Sequence, residues 1–463
     1  MVLGVNAVPA MAQAPVLQQV EARADHFGKI SRTIWENPEV GYQEVQSAAL
    51  LKGELQKAGF RITDRVADIE TAFIAEWGSG APVIAILGEY DALPGLSQEA
   101  TPARKARVVG APGHGCGHNL FGAASALAAI AVQEQMKAEG LKGTIRFYGT
   151  PAEEGGGGKI YMIRAGAFKD VDVALAWHPY DRNQSDSNPW LANISARVRY
   201  KGRAAHAAGA PEAGRSALDG VEIMTHAVNL LREHVPEETR MHYVITKGGD
   251  VANVVPENAE LSLIVRHPDQ RVLESIWERV LNCAQAGALA TGTEMSFEIG
   301  GSYTNMVHTP ALVALLDKNL RVTGGVNYTA EEKDFAQKLL SSLPDVSQAP
   351  PLGSEAQILP IRTELFSAST DVGDVSWVVP TGHFVAATFP PGTPLHTWVS
   401  TACAGTSLGR KGMVVAAKTL ALSATELLSN PQLVTEAKQQ WSKTMEGRSY
   451  RSLLPANKKP SMR

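Results

Sequence analysis

Residues 83–87 read V-I-A-I-L, without one polar side chain. A strand apolar on both faces must be covered on both, as the central strands of an α/β sheet are. The flanking sequence supplies the cover. Helical periodicity is expected from Val16 through the Trp35 region, ending at Asn37-Pro38, and again over 45–59. Further strands are expected at 72–77, 144–148, 173–177 and 385–389, and helices at 120–135 and 409–428. Strands alternating with helices argue for a layered α/β domain. The Pro- and Ser-rich stretch 344–360 reads as a loop.

From about Ala192 the texture changes. Strand patterns at 194–201, 241–247, 259–266 and 294–299 enclose helical patterns at 216–234 and 271–288. This β-α-β-β-α-β order is the ferredoxin-like pattern, a domain in itself. A chain of 463 residues is too long for one core. Two domains are expected: a discontinuous α/β domain over 16–190 and 304–463, and an inserted α+β lid over 191–303. A net charge of -4 with no basic stripe argues against nucleic acid as a partner. The absence of any run of eighteen apolar residues argues against a membrane span. Three scattered cysteines make no disulfide framework. Residues 1–15 hold small residues at the spacing of a signal cleavage site, without a basic segment or full apolar core before them. They are read as a possible signal remnant, so export, to the periplasm for instance, is expected over residence in the cytoplasm.

The chemistry-bearing residues fall in five short segments. G-E-Y-D-A-L-P-G (88–95) follows the apolar strand and carries Glu89 and Asp91; a plain acidic turn is its simpler reading. G-H-G-C-G-H-N (113–119) sets Cys116 between His114 and His118 on permissive glycine backbone. Thiolate and imidazole are preferred ligands of zinc and similar ions, although a buried Cys with two solvated His would have the same sequence. G-T-P-A-E-E-G-G-G-G (149–158) sets Glu153 beside Glu154, a costly pair unless something positive binds them. His178 ends a strand in A-W-H-P, and His396 lies in P-G-T-P-L-H-T-W (391–398). Ligand-type residues at four strand ends of one sheet suit two metal ions: Cys116, His118, Glu154, His178 and His396 are five donors, with Cys116 able to bridge. Metal brings the pKa of bound water near 7, and Glu153 is then the natural general base.

In combination these motifs, with T-D-V-G-D-V-S-W (370–377), resemble the dinuclear metallopeptidase and amidohydrolase family. That family includes aminoacylases, glutamate carboxypeptidases, and hippurate and auxin-conjugate hydrolases. Within it the motifs look most like the B-type chains of aminobenzoyl-glutamate hydrolases, from about Val16 to Leu428. The resemblance implies two divalent ions per subunit, zinc or manganese with cobalt as an option, held by Cys116, His118, Glu154, His178 and His396. It implies Glu153 as catalytic base, and Asp91 as an orienting carboxylate. His206, in K-G-R-A-A-H-A, would reach the active site of a second subunit and polarise the scissile carbonyl. Asn253 and Arg266 of the lid would hold the substrate carboxylate; a turn former and a surface charge are their plainer readings. Many members carry a histidine ligand where Glu89 stands, and His114 matches no family role. The implied activity is hydrolysis of the amide between an acyl or aroyl group and an amino acid. Dipeptidase action, or a weakly active subunit of a hetero-oligomer, is the alternative; a homodimer is the expected assembly. The lid is expected to hinge near 189–193 and 302–310. Trp35, Tyr90, Trp177, Tyr303, Trp377 and Trp398 are candidates for an aryl pocket, with the core as their plainer place.

Overall fold

The computed structural model describes residues 10–461 except 346, 348 and 366, with side chains from Pro15 onward. The expected leader at 1–15 thus lies mostly outside the described residues. The strands of the larger unit are β1 (Arg61–Asp64), β2 (Phe73–Ser79), β3 (Val83–Gly88), β4 (Gly143–Gly149), β5 (Val173–Tyr180), β6 (Gln184–Ser185) and β11 (Thr381–Ala387). They form one seven-stranded mixed sheet in the order β1-β2-β4-β3-β5-β11-β6. β4, β3, β5 and β11 run parallel, and β1, β2 and β6 add antiparallel edges.

The apolar run at 83–87 is β3, buried at every position. The pleat divides it between two cores. Ile84 and Ile86 pack with the helices Ala10–Glu36, His118–Glu139 and Ser407–Ser429, while Val83, Ala85 and Leu87 pack with Tyr161, Met162 and Val375 on the other face. Ser407–Ser429 is long and apolar enough to cross a membrane, but 83% of its most apolar window is buried in the domain. Short helix Gly158–Arg164 and helices Pro310–Thr323, Ala330–Leu340 and Pro431–Thr444 come in addition to the expected elements.

The inserted unit is built from β7 (Ala192–Lys201), β8 (Arg240–Lys247), β9 (Asn258–His267) and β10 (Glu294–Tyr303). They form a four-stranded antiparallel sheet in the order β10-β7-β9-β8. Helices Ala217–Leu231 and Gln270–Thr291 cover one face around Val198, Leu261, Leu263 and Val280.

Two expected elements are displaced. The strand expected at 385–389 occupies Thr381–Ala387. Phe389 is fully buried though it lies in the following loop, so burial imitates a strand. The first helix begins at Ala10, before the expected Val16.

Because the lid has its own core, truncating Leu261, fully buried at its centre, is expected to destabilise it. Leu261→Ala should cost about 2–5 kcal/mol. Hydrogen exchange would locate the loss in 192–303, with the larger sheet protected as before.

Candidate metal centre

The parallel strands aim their carboxyl ends at one crevice, where α/β sheets bind ligands. Glu89 and Asp91 follow β3, Glu153 and Glu154 follow β4, and His396 follows β11. His178, expected just past a strand ending at 177, lies within β5, which runs on to Tyr180. Cys116 and His118 come from the loop and first turn of the helix His118–Glu139, which packs across these strand ends.

The glycines around Cys116 are explained by close approach. A Cβ on Gly117 would stand 2.8 Å from Pro179 Cβ, and its φ of +79° disfavours other residues. The chain there lies against the residue following His178. The Gly115 carbonyl accepts from His396 N at 2.9 Å and from Ser400 Oγ at 2.7 Å. The loop thereby docks His396, whose φ of +59° is a strained left-handed conformation.

Side-chain donors converge in two groups that share the thiol: Cys116, His118 and His178, and Cys116, Glu154 and His396. Within each, the ligand atoms lie within 4.8 Å of one another. Cys116 Sγ is 3.4 Å from His178 Nε2, and His396 Nε2 is 3.4 Å from Glu154 Oε1. Two ligands of one tetrahedral ion, at ordinary bond lengths, stand roughly 3.2–3.6 Å apart. A third group joins Glu89, His118 and Glu153, with Glu89 Oε2 3.2 Å from His118 Nε2.

Orientation is set by hydrogen bonds one layer out. Asp91 accepts from His118 Nδ1 at 2.9 Å with one oxygen and from the Glu154 backbone N–H at 2.8 Å with the other. It fixes a candidate ligand from each of two segments. His178 Nδ1 lies 2.7 Å from the Pro179 carbonyl, which makes Nδ1 the donor and leaves the Nε2 lone pair facing Cys116. Glu44 accepts from Thr71 Oγ1 and from the Ala152 backbone, steadying the loop that carries Glu153. Lys159 is fully buried, and its Nζ donates to Glu89 and Asp371 at 2.6 Å each. Sequence reasoning misses these roles of Glu44, Lys159 and Asp371. The only local signal is the place of Asp371 inside the 370–377 motif.

The electrostatics ask for positive charge. Burial and then the Glu89 and Glu154 carboxylates push Glu153 well above the usual carboxylate range. Burial and Asp91 raise Glu44 to about 8. Burial opposes protonation of His118, but Cys116, Asp91 and Glu89 outweigh it and hold its pKa well above the ordinary value. Hydrogen bonds to Cys116 and Glu154 raise His396 to about 11. Burial and the neighbouring His118 lower His178 well below its usual value, and His114 to about 3. His118 Nε2 and Glu89 Oε2 are buried and face each other at 3.2 Å without forming a hydrogen bond. Orphaned lone pairs, a shared thiol and a single buried ammonium among several carboxylates fit divalent metal ions.

A cavity of about 710 Å³ opens from this centre to the lid. Cys116, Glu153, Glu154, His178 and His396 line one wall, and Asn193, Arg240, His242 and Arg266 the other. Arg266 Nη1 donates to Ser369 Oγ at 2.9 Å. Tyr303, at the end of β10, donates to the Glu153 carbonyl at 2.7 Å. Of the six aromatic candidates only Tyr303 lines the cleft; Tyr90 and Trp177 are core, and Tyr180 and Trp190 line it instead. His206 and Asn253 do not line it. They sit together on exposed lid loops, where Ala207 N donates to Asn253 O at 3.0 Å. A second cavity, about 760 Å³, lies between the helices Ala10–Glu36 and Ser407–Ser429; its one carboxylate, Asp25, pairs with Arg410.

Two variants probe this construction. Gly117→Ala should lower the metal bound per chain after dialysis, read by elemental analysis, with the fold retained. Lys159→Met leaves Glu89 and Asp371 buried without the ammonium that bridges them. It should cost about 3–5 kcal/mol in chemical denaturation.

Residues 192–291 match the peptidase dimerisation domain. The chain is 39% identical to the B chain of the p-aminobenzoyl-glutamate hydrolase of Escherichia coli, over 96% of this chain and 97% of that protein. It is 30% identical to the Xaa-Arg dipeptidase of Mus musculus, over 90% of this chain and 89% of that protein. In fold it is similar to a Bacillus subtilis dinuclear metal binding peptidase from the M20 family, with a TM-score of 0.62 and 20% identity, covering 88% of this chain and 99% of that one. An inserted lid that matches the dimerisation domain, a strand-end crevice with paired donor groups, and identity along nearly the whole length make this chain a member of the M20 family of metal-dependent hydrolases of amide and peptide bonds.

Proposed function

We propose that this protein hydrolyses the amide bond between an acyl or aroyl group and an amino acid, as a homodimer holding two divalent ions per subunit. The observation that carries this reading is the polarity of the cleft: a shared-thiol donor cluster with Glu153 on one wall, and guanidinium groups on the other. Zinc and manganese both suit a thiolate, imidazole and carboxylate donor set, and cobalt is a further option. Bound there, the ions would lower the pKa of water and polarise a carbonyl oxygen.

The chain's own residues supply the rest. Cys116, His118 and His178 would hold one ion, and Cys116, Glu154 and His396 the other. Asp91 keeps His118 and Glu154 in register with each other. Glu153 is 7% exposed and lines the cleft, so it can take a proton from the attacking water and return it to the leaving nitrogen. Cations beside it would counter the burial and like charges that otherwise raise its pKa. Arg266, half-buried in the cleft wall, anchors the free carboxylate of the substrate by its fork.

His206 acts in the cleft of a second copy. Its Nδ1 accepts from the backbone N–H groups of Ala208 at 3.2 Å and Gly209 at 3.0 Å, which leaves Nε2–H as the outward donor. An exposed imidazole with a fixed donor suits stabilisation of an oxyanion. Asn253 beside it would share the substrate contact in that second cleft, rather than in the cleft of its own chain.

The test is hydrolysis of aminobenzoyl-glutamate, acyl-amino acids and dipeptides by the purified protein loaded with manganese or zinc. About two ions per chain, with metal and activity both falling in Cys116→Ala, is the expected result. Full metal with no turnover would favour a subunit that needs a different partner chain. Glu153→Gln should lower kcat by about 10²–10⁴-fold with metal retained. Dimers of Glu153→Gln and of His206→Ala should each be weak. Random remixing should restore about a quarter of the activity, because half the dimers are mixed and each of those holds one complete site. No recovery in a mixture shown to exchange subunits would rule out the action of His206 in trans.

A further inference from the structure

The lid sheet has two unlike faces. Met241, Leu263 and Val265 point to the helices and are buried in the lid core. The alternate residues Arg240, His242, Ile264 and Arg266 line the cleft, in phase with the pleat. Arg240 of β8 and Arg266 of β9 are direct cross-strand partners. Like charges in that relation repel. Among the described residues neither guanidinium has a carboxylate as an ion-pair partner: Arg240 donates from Nη1 to the carbonyls of Glu237 and Thr239, and Arg266 to the Ser369 hydroxyl. The carboxylates of the cleft, Glu153 and Glu154, belong to the opposite wall. His242 adds an imidazole on the same face.

Two adjacent guanidiniums that repel each other and face a cavity form a receptor for two negative charges. Cross-strand neighbours lie roughly 5 Å apart at Cβ, so both guanidiniums can reach one small dicarboxylate in the cleft. We propose that Arg240 is a specificity-determining residue: it holds the side-chain carboxylate of a dicarboxylic amino acid whose α-carboxylate is held by Arg266. This rests on the amide-hydrolase reading above and narrows it to conjugates of glutamate or aspartate. A basic residue at the same position in the substrate would bring its charge against two guanidiniums, so an arginine-specific dipeptidase is disfavoured for this chain.

N-benzoyl-glutamate and N-benzoyl-glutamine differ at that position in charge and hardly in size. The metal-loaded dimer should favour the glutamate conjugate in kcat/KM by about tenfold or more, the size of one charge-assisted hydrogen bond. R240Q should remove most of that preference, chiefly through KM, and R240K should keep part of it. Calorimetric binding of free glutamate against free glutamine to the same proteins makes the comparison without turnover. A preference equal in wild type and R240Q overturns the inference, as does an R240Q variant that loses its dimer but keeps the preference. If wild type turns over neither conjugate, yet R240Q loses its selective binding of glutamate, the hydrolase reading fails and the role of Arg240 stands.

Discussion

The centre depends on one carboxylate. Asp91 accepts with one oxygen from the ring of His118 and with the other from the backbone of Glu154, so the end of β3 sets the position of candidate ligands from two other segments. Neither ligand is rigid by itself: His118 opens a helix after a run of glycines, and Glu154 opens another glycine run. A buried, doubly hydrogen-bonded carboxylate gives both one reference point, at a site where small displacements are costly. Docking of His396 through its backbone on Gly115 extends the same principle to the fourth strand end.

Such a centre gathers more negative charge than a protein interior tolerates. Lys159 is the protein's own partial remedy, since it bridges Glu89 and Asp371 with no exposure to solvent. A single ammonium does not balance six clustered carboxylates, so without metal Glu44 and Glu153 keep their protons and His118 and His396 hold positive charge. Divalent ions would close the gap, and in doing so would reverse the local pKa logic for Glu153 and the histidines. The apo cluster and the loaded cluster are therefore different electrostatic objects built on one geometry.

The lid complements this centre by carrying the opposite sign. Its helices bury one face of the sheet, and the other face is free to be polar because it borders the cleft rather than a core. Tyr303, which ends β10, ties the lid's last strand to the Glu153 backbone, so lid position and base position are mechanically linked. The loops with His206 and Asn253 do not line the cleft of their own chain, which is the arrangement that the proposed action in a second copy requires.

The sequence by itself determined the layered α/β architecture, the ferredoxin-like insertion and the metal-type donors. Each of those signals is local: the apolar run of β3, the alternation in the lid strands, Cys116 beside His118, Glu153 beside Glu154. Local periodicity misjudges β11, because Phe389 is buried in a loop and looks like strand. It is silent on Lys159 and Asp371, whose pairing spans 212 residues. It marks Arg266 but passes over Arg240, because their adjacency exists only in the register of β8 against β9. Only tertiary structure decided that a lone lysine is buried, that two arginines face one cavity and that His206 faces away from it. The physical reason is that the charge and burial of a side chain depend on partners brought near by the fold, which spacing along the chain does not encode.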